Sequence, residues 1–348
     1  MTARIGLATL SLITVLALAF VAHWLTVTGR TLLGRELLEY PLWAVAVGLL
    51  ANGFLRWGRW HARLSGTWRT EFFLKTGLVL LGATVNVRDV VSFGSRGLVQ
   101  AALLVTGVFF FTWFVAGLFR LEPKLKALMA AAVSICGVSA AIAAAGSVLA
   151  KKEHLTYVAT LVIAFALPLM LLQPLLAKAL GLPTAVAGAW IGGNIDTTAA
   201  VVGAGAMHSE AAMKVASVVK MAQNALIGVA AFLLALYWAL RDGQEDKGVG
   251  ARVLWDRFPK FVLGFIAASA FTTLLAGSGV ITPAQIKVLT ALRNWFLTLA
   301  FVSMGLEISP RGLLALGARP VAVYALATAF NMGLALVVAW LVFGSLGR

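Results

Sequence analysis

Long apolar runs recur along the whole sequence and restrict the fold more than any other feature. Nine of them approach the roughly 20 residues with which a helix crosses a bilayer core. They cover residues 5–27, 40–55, 72–85, 98–119, 155–176, 211–240, 261–275, 286–306 and 321–343. Hydrophobic residues make up 61% of the 348 residues and charged residues only 12%, which a soluble domain does not show. Because backbone groups in lipid must be satisfied within a segment, we expect an all-α polytopic membrane protein with about 9 to 11 transmembrane segments.

The first apolar run, 5–27, follows a single basic residue, Arg4. Such a run is compatible with a secretory signal peptide, and Ala17-Leu18-Ala19 resembles a cleavage site. The run is longer, however, than the apolar region of about 7 to 15 residues in a signal peptide. We therefore interpret it as a first transmembrane helix that is not cleaved.

Basic residues lie mainly in short loops between the apolar runs, and the net charge is +15. The densest positive loop is 56–70, and 241–260 is a second charged loop. Because loops rich in Lys and Arg face the cytoplasm, we place both loops there, and we expect the lipid bilayer rather than nucleic acid as the partner. The single cysteine, Cys136, excludes an intramolecular disulfide and a multi-cysteine metal site, and the four histidines flank apolar runs. We expect neither a metal nor a cofactor.

Two further segments, 125–150 and 184–207, are long enough to span but consist largely of small residues around a polar centre. Glycine interrupts a helix, and Ser, Thr, Asn and Asp cap the helix that restarts after it. Gly137 is the predicted break in the first segment, and the pair Gly192-Gly193 is the predicted break in the second. If both segments spanned the membrane, Lys151-Lys152 would lie outside. The positive-inside bias therefore favours re-entrant hairpins.

An internal repeat relates 73–119 to 296–342 at an offset of 223 residues. Within its first 24 pairs seven residues are identical, among them Gly82 with Gly305 and Arg88 with Arg311. An odd number of predicted spans separates the copies, so they would insert in opposite orientations, as in many secondary transporters. The loops of Arg88 and Arg311 should then lie on opposite faces of a single transmembrane transporter domain that covers the whole chain.

The two broken segments carry the polar residues of a candidate binding site. A half-helix that begins at membrane depth presents free amides and a partial positive charge, which attract anions. We predict that a substrate anion binds there. The candidate substrate-binding residues are Ser134, Cys136, Gly137, Ser139, Gly193, Asn194, Thr197, Thr198 and Lys220. The alternative for the first segment is that its small residues only allow close helix packing.

Two ionisable residues, Asp196 and Lys220, are predicted to lie deepest in the membrane, where a charge is costly and its default interpretation is functional. Lys220 follows Ala211 by roughly 14 Å along a helix, which places it near the middle of the core. We predict that Lys220 supplies the counter-charge for the anion and that Asp196 couples transport to a proton or cation. The structural alternatives are a helix cap for Asp196 and an ion pair between the two residues.

Four short motifs resemble the YeiH family, whose members are labelled sulfate exporters: SICGVSA at 134–140, LLG at 80–82, WIG at 190–192 and VK at 219–220. The resemblance extends over nearly the whole chain. It implies membership of the superfamily of cation/proton antiporters and anion transporters, with inverted repeats, discontinuous helices and elevator-type alternating access.

The sequence departs from the YeiH pattern at its most polar points. It reads IDTTAAV at 195–201, where the family has Ile-His-acid followed by Gln-Val, and KMAQ at 220–223, where the family has Lys-Leu-x-Arg. The chain therefore lacks the His, the Gln and the Arg of that pattern.

These features together predict a secondary active transporter of the bacterial cell inner membrane. The resemblance implies a small inorganic or organic anion as substrate, such as a sulfate-like oxyanion or an organic sulfonate, with H⁺ or Na⁺ as coupling ion. The alternative is a cation/proton antiporter in which Asp196 binds the ion. We do not expect an enzyme, since the sequence offers no phosphate-binding glycine loop, paired carboxylates or nucleophile with a nearby base. A homodimer is an open option.

Overall fold

The computed structural model describes residues 2–33, 40–58, 60, 64, 68–242, 255, 258–308 and 317–347. In these ranges the chain forms helices and no strands, so the all-α prediction is confirmed. The main helices are α1 Thr2–Leu33, α2 Tyr40–Trp57, α3 Thr70–Gly82, α4 Val87–Leu118, α5 Pro123–Ala131, α6 Val138–Val148, α7 Lys152–Ala179, α8 Thr184–Asn194, α9 Thr198–His208, α10 Glu210–Ala225, α11 Ile227–Asp242, α12 Phe261–Gly277, α13 Pro283–Glu307 and α14 Ala318–Phe343. A π-helical turn, Ala132–Cys136, follows α5.

Six helical stretches among the described residues are long and apolar enough to cross a membrane. They are Thr9–Thr28, Val87–Leu118, Lys152–Ala179, Glu210–Arg241, Pro283–Glu307 and Ala318–Phe343. The protein is therefore a multi-pass membrane protein. Three predicted spans, 40–55, 72–85 and 261–275, are not among these six stretches. The run 72–85 forms only the 13-residue α3, and the run 211–240 divides into α10 and α11 at Leu226.

The chain divides into two compact units, of which the first comprises Met1–Val90 and Phe261–Ile308. At two places in its core a glycine packs directly against the backbone of a neighbouring helix. A Cβ on Gly82 would collide with the backbone of Phe265, and a Cβ on Gly305 would collide with the backbone of Gly48. Gly82 and Gly305 are equivalent in the predicted repeat, so glycine at both positions is explained by helix packing.

A polar contact in the first unit occurs twice in the same way. The amide of Asn52 donates to the Ile308 carbonyl at 2.6 Å, and the hydroxyl of Ser269 donates to the Val85 carbonyl at 2.7 Å. Val85 and Ile308 stand 223 residues apart, and Asn52 and Ser269 stand 217 residues apart. The internal symmetry therefore extends beyond the predicted segments to the preceding helices, α2 and α12.

The second unit comprises Val91–Lys260 and Ser309–Arg348. In it the equivalent helices α4 and α14 pack antiparallel. The Phe111 ring stacks on the Phe330 ring with centroids 3.9 Å apart, and a Cβ on Gly107 would lie 2.9 Å from the Leu334 side chain. At the 223-residue offset Phe111 corresponds to Leu334 and Gly107 to Phe330, so the two contacts are equivalent. Equivalent helices that pack antiparallel are the arrangement that an inverted repeat requires.

The first discontinuous segment is a re-entrant hairpin in the second unit. Helix α5 leads to the π-helical turn and a glycine, and α6 leads back. The two ends of the hairpin lie side by side, because the ammonium of Lys124 donates to the Leu149 carbonyl at 3.2 Å. A contact of 3.1 Å between Glu122 and His154 joins the flanking residues. This is the arrangement that the loop charges favour.

The second discontinuous segment turns back in a similar way through α8 and α9. The ammonium of Lys178, just before α8, donates to the carbonyl of Met207, near the end of α9, at 2.8 Å. Helix α10 then starts at Glu210, directly after the Ser209 cap. Both discontinuous segments therefore enter and leave their unit at adjacent points.

The prediction that the pair Gly192-Gly193 breaks the second segment is wrong. Both glycines lie within α8, and the chain leaves the helix only at 195–197. A Cβ on Gly192 would lie 2.6 Å from the carbonyl oxygen of Ala216, and Gly193 faces the side chain of Gln100. The glycines allow close packing, and the polar residues after them form the break.

Most of the two loops predicted to be cytoplasmic, 56–70 and 241–260, lies outside the described residues, as does Arg311. The side of the membrane on which these loops lie therefore stays a prediction.

Candidate functional site

The tips of the two hairpins meet inside the second unit. Gly137 has φ +63° and ψ −120°, a conformation that side-chain-bearing residues avoid, and it ends the π-helical turn. A Cβ on Gly137 would lie 2.6 Å from Val162, 3.4 Å from the carbonyl oxygen of Asp196 and 3.5 Å from its Cβ. Helix α6 begins just after Gly137 and α9 begins two residues after Asp196, so two helix N-termini start close together.

Lys220 lies at this junction and is 1% exposed. It is the eleventh residue of the 32-residue apolar stretch Glu210–Arg241. Its ammonium donates to the Ile135 carbonyl at 2.5 Å and to the Gln223 side-chain oxygen at 2.8 Å. The carbonyl belongs to the π-helical turn, where the helix end leaves carbonyls without helical partners. A cation is therefore held against the first hairpin tip.

Two buried amide side chains connect the tips to each other. Gln223 donates to a carbonyl of each tip, and Asn331 of α14 does the same. The four acceptors are the carbonyls of Ser134 at 2.8 Å, Gly193 at 3.3 Å, Val133 at 3.4 Å and Asn194 at 3.1 Å. Because each amide bonds to both tips, the C-terminal ends of the π-helical turn and of α8 are fixed relative to each other.

Asp196 is 1% exposed, and in the part of the chain that the structure describes its side chain has one hydrogen-bond partner. The hydroxyl of Tyr324, itself fully buried, donates to Asp196 Oδ2 at 2.5 Å, while Asp196 Oδ1 has no partner among these residues. The predicted alternative of an ion pair with Lys220 is not realised: these two described residues make no direct contact, since the ammonium bonds to neutral oxygens instead. Asp196 is also not the helix cap. A buried carboxylate with one free oxygen is a candidate for protonation or ion binding.

The accessible part of the junction consists of hydroxyl residues at the starts of α6 and α9. Ser139 is exposed, and Thr197 and Thr198 are half-buried. Thr197 caps α9, because its hydroxyl accepts from the Ala200 amide at 3.3 Å. The Thr198 hydroxyl accepts from the Asn224 amide at 3.2 Å. Ser139 lies inside α6, and the N-cap residue of that helix is Gly137, which has no side chain.

Three other predicted site residues lie near the junction, but their side chains are buried and two of them already donate hydrogen bonds within the protein. The Ser134 hydroxyl donates to the Ala130 carbonyl at 2.7 Å, so only its backbone carbonyl takes part in the junction. Cys136 is buried at the end of the π-helical turn. The Asn194 amide donates to the Gln173 side chain at 2.8 Å, and no donor within the described ranges reaches its side-chain oxygen. These three residues shape the tips.

Sequence reasoning missed Tyr324 and Asn331, which both lie on α14 and contact the hairpin tips. The two residues are seven apart, which is about two helical turns, so they share one face. Polar residues on one face of an apolar span were the signal that would have found them.

Arg293 is an ionisable residue that the predicted site does not include. It is 1% exposed in the first unit, where its guanidinium donates to Asn294 at 2.8 Å and to Thr84 at 3.3 Å. Its position in the middle of α13 makes it a second buried cation, separate from the junction of hairpin tips.

Comparison with known proteins assigns the chain to a family. The family model described as Conserved hypothetical protein 698 matches residues 9–324, nearly the whole chain. The chain belongs to this family. The match agrees with the YeiH resemblance of the sequence motifs, since the family corresponds to the UPF0324 membrane proteins.

Relatives in this family carry the name UPF0324 membrane protein. One from Rhodopirellula baltica is 39% identical over 338 residues, which cover 94% of this chain and 61% of the relative. One from Nitratidesulfovibrio vulgaris is 38% identical over 315 residues, covering 86% of this chain and 54% of the relative. The chain thus matches little more than half the length of these two proteins. No solved structure matches.

Proposed function

We propose that this protein is a secondary active transporter that moves a small anion across the bacterial inner membrane. The observation that carries the proposal is the meeting of two re-entrant hairpin tips at Gly137 and Asp196. Non-helical backbone at membrane depth is tolerated only where protein or a water-filled cavity surrounds it, and paired helix breaks are typical of transport sites. The substrate class is a sulfate-like oxyanion or an organic sulfonate, in line with the family resemblance.

The junction offers three kinds of attraction for an anion. The N-termini of α6 and α9 start close together and present their first amides and positive dipole ends. The hydroxyls of Ser139 and Thr198 lie on its accessible side. An ammonium has three protons, and Lys220 directs two of them to protein oxygens, which leaves one for a ligand.

Asp196 is the coupling group in this proposal. When ionised, its carboxylate repels an anion at the neighbouring tip; when protonated, it leaves the Lys220 charge uncompensated and favours the anion. The proton and the anion therefore help each other to bind, and this coupling is reciprocal. Elevator-type alternating access, in which the unit that carries the junction moves as one body, completes the transport cycle.

A cation/proton antiporter is the second candidate, and a different observation favours it. Four buried side-chain oxygens near the tips have no hydrogen-bond donor among the described residues: the Oδ1 atoms of Asp196, Asn194, Asn224 and Asn331. Carboxylate and amide oxygens are the ligands of hard cations. In this alternative Asp196 binds the cation in exchange for a proton.

Thermal unfolding of the purified protein in detergent separates the two candidates. Salts are compared in which either the anion or the cation is varied while the other ion is held constant. A ligand at 100 times its Kd stabilises the folded state by about 2.7 kcal/mol. We expect the stabilisation to follow sulfate or an alkyl sulfonate whatever the cation. Stabilisation that follows Na⁺ whatever the anion would favour the antiporter, and the absence of any ion-specific stabilisation would contradict both.

A further inference from the structure

A second candidate site lies in a groove between α4 and α11 of the second unit. The groove has a volume of about 480 Å³, and its lining is almost entirely apolar, with Val105, Phe109 and Leu234 among the lining residues. Phe110 and Leu233, which also line it, are 65% and 55% exposed. The groove is therefore open along one side, and it is formed by two helices that belong to membrane-spanning stretches.

One end of this groove is aromatic and basic. The rings of Trp113 and Tyr237 meet there, with centroids 6.0 Å apart. The ammonium of Lys126 lies over the Trp113 ring, 4.4 Å from its centroid, and Arg241 is near enough for its charge to act on Lys126. Among the described residues neither cation forms an ion pair with a carboxylate. Among the side chains that the structure describes, the two positive charges at this end therefore have no carboxylate partner.

The length of the groove matches one leaflet of a bilayer. It is lined by α4 from Ala102 to Trp113 and, on the other side, by Leu226 and the part of α11 up to Tyr237. Each of these stretches rises by about 16 Å, and half of a hydrocarbon core is roughly 15 Å thick. An acyl chain that lies in the groove would therefore place its headgroup at the level of the aromatic rings, where membrane interfaces concentrate Trp and Tyr.

We propose that this groove binds an anionic phospholipid, with an acyl chain along the apolar lining and the phosphate beside Lys126 and Arg241. The apolar length selects a lipid over a free phosphate, and the two cations select an anionic headgroup over a zwitterionic one. The loop after Arg241 is predicted to be cytoplasmic, which places the site in the leaflet whose anionic lipids attract basic residues. This inference does not depend on the transported substrate.

Lipid titrations of the purified, delipidated protein test the proposal, with thermal unfolding and native mass spectrometry as readouts. Phosphatidylglycerol is compared with phosphatidylcholine of the same chains and with glycerol phosphate. We expect phosphatidylglycerol to bind more tightly than phosphatidylcholine, and glycerol phosphate to have no effect. Each cation near a membrane surface contributes about fivefold to the affinity for an anionic lipid. The double variant K126Q/R241Q should therefore lose roughly 25-fold in affinity for phosphatidylglycerol alone.

Two further variants test the position of the site. Ala230→Phe fills the groove and should weaken the binding of both lipids. K287Q/R88Q removes two exposed cations of the first unit and should change the affinity for neither lipid. Equal affinity for the two lipids in the parent protein would overturn the proposal, as would an equal loss in K287Q/R88Q or full stabilisation by glycerol phosphate. If Ala230→Phe dissociated a dimer in the mass spectrum, a second copy of the chain would be the occupant and the lipid proposal would also fall.

Discussion

The two re-entrant hairpins reach the same point by different means. The first reverses through a π-helical turn and Gly137, and no side chain caps the helix that follows. The second reverses through a short extended break, and the Thr197 hydroxyl caps the helix that follows. The carboxylate at the junction, Asp196, belongs to the second tip. The first tip is thus shaped by backbone conformation, and the second is shaped by polar side chains.

This difference suggests a division of roles between the tips. The first tip offers the amides at the start of α6 and is held by Lys220, so it is suited to bind an anion. The second tip has part of its free backbone satisfied by Thr197, and it adds a group that can exchange a proton. On this account the first hairpin mainly determines affinity, and the second mainly determines how affinity depends on pH.

The largest effect on stability is expected for Gly137→Ala, which strains the backbone of the first tip. The positive φ and the contact with Val162 should together cost about 2 to 5 kcal/mol of stability, and anion stabilisation should disappear. The matched control is Gly333→Ala on α14, where an added Cβ meets nothing within 4 Å. Chemical unfolding of both variants measures the difference, and equal costs would show that Gly137 is an ordinary packing residue.

Lys220→Met comes next and tests whether the first tip determines affinity. Loss of a hydrogen bond to a charged group is worth about 1.5 to 3 kcal/mol, so anion affinity should fall by about 10- to 100-fold. Lys178→Met is the matched control, because Lys178 also donates to a hairpin carbonyl but at the outer end of the second hairpin. Titration calorimetry with the anion compares the two variants. Equal losses of affinity would show that Lys220 does not bind the anion directly.

A smaller effect is expected at the second tip from the contact between Tyr324 and Asp196. Tyr324→Phe should cost more stability in the parent protein than in the Asp196→Asn background, because the hydrogen bond loses its charge there. The coupling in this double-mutant cycle should be about 1 kcal/mol. Tyr157→Phe, which removes a hydroxyl that contacts Gly317 instead, should be additive with Asp196→Asn. Additivity in both cycles would show that Tyr324 does not interact energetically with the Asp196 carboxylate.

The smallest effects concern the caps of the two tips. Thr197→Ala should destabilise the protein by about 1 kcal/mol, since it removes a side-chain cap. Ser139→Ala should change stability by less than about 0.5 kcal/mol, because Ser139 caps nothing. Unfolding midpoints of the two variants give this comparison directly. The reverse order of effects would contradict the assignment of the caps.

Sequence reasoning predicted the helical class, the discontinuous segments and the break at Gly137, because each depends on local composition or on the conformation of one residue. It placed the second break at the glycine pair because glycine breaks isolated helices. In the folded protein the same glycines allow contact with Ala216, and that packing is invisible in a single sequence. The partner of Asp196 was missed for a similar reason: Tyr324 is 128 residues away in the chain.

The pH dependence of anion binding tests the central claim most directly. Affinity for the anion is measured from neutral to mildly acidic pH in the parent protein and in Asp196→Asn. Protonation of Asp196 removes a negative charge beside the anion, so we expect affinity in the parent protein to rise as the pH falls. The Asn variant should bind the anion with an affinity that is nearly constant over the same range. An unchanged pH dependence in the Asn variant would contradict the assignment of coupling to the second tip.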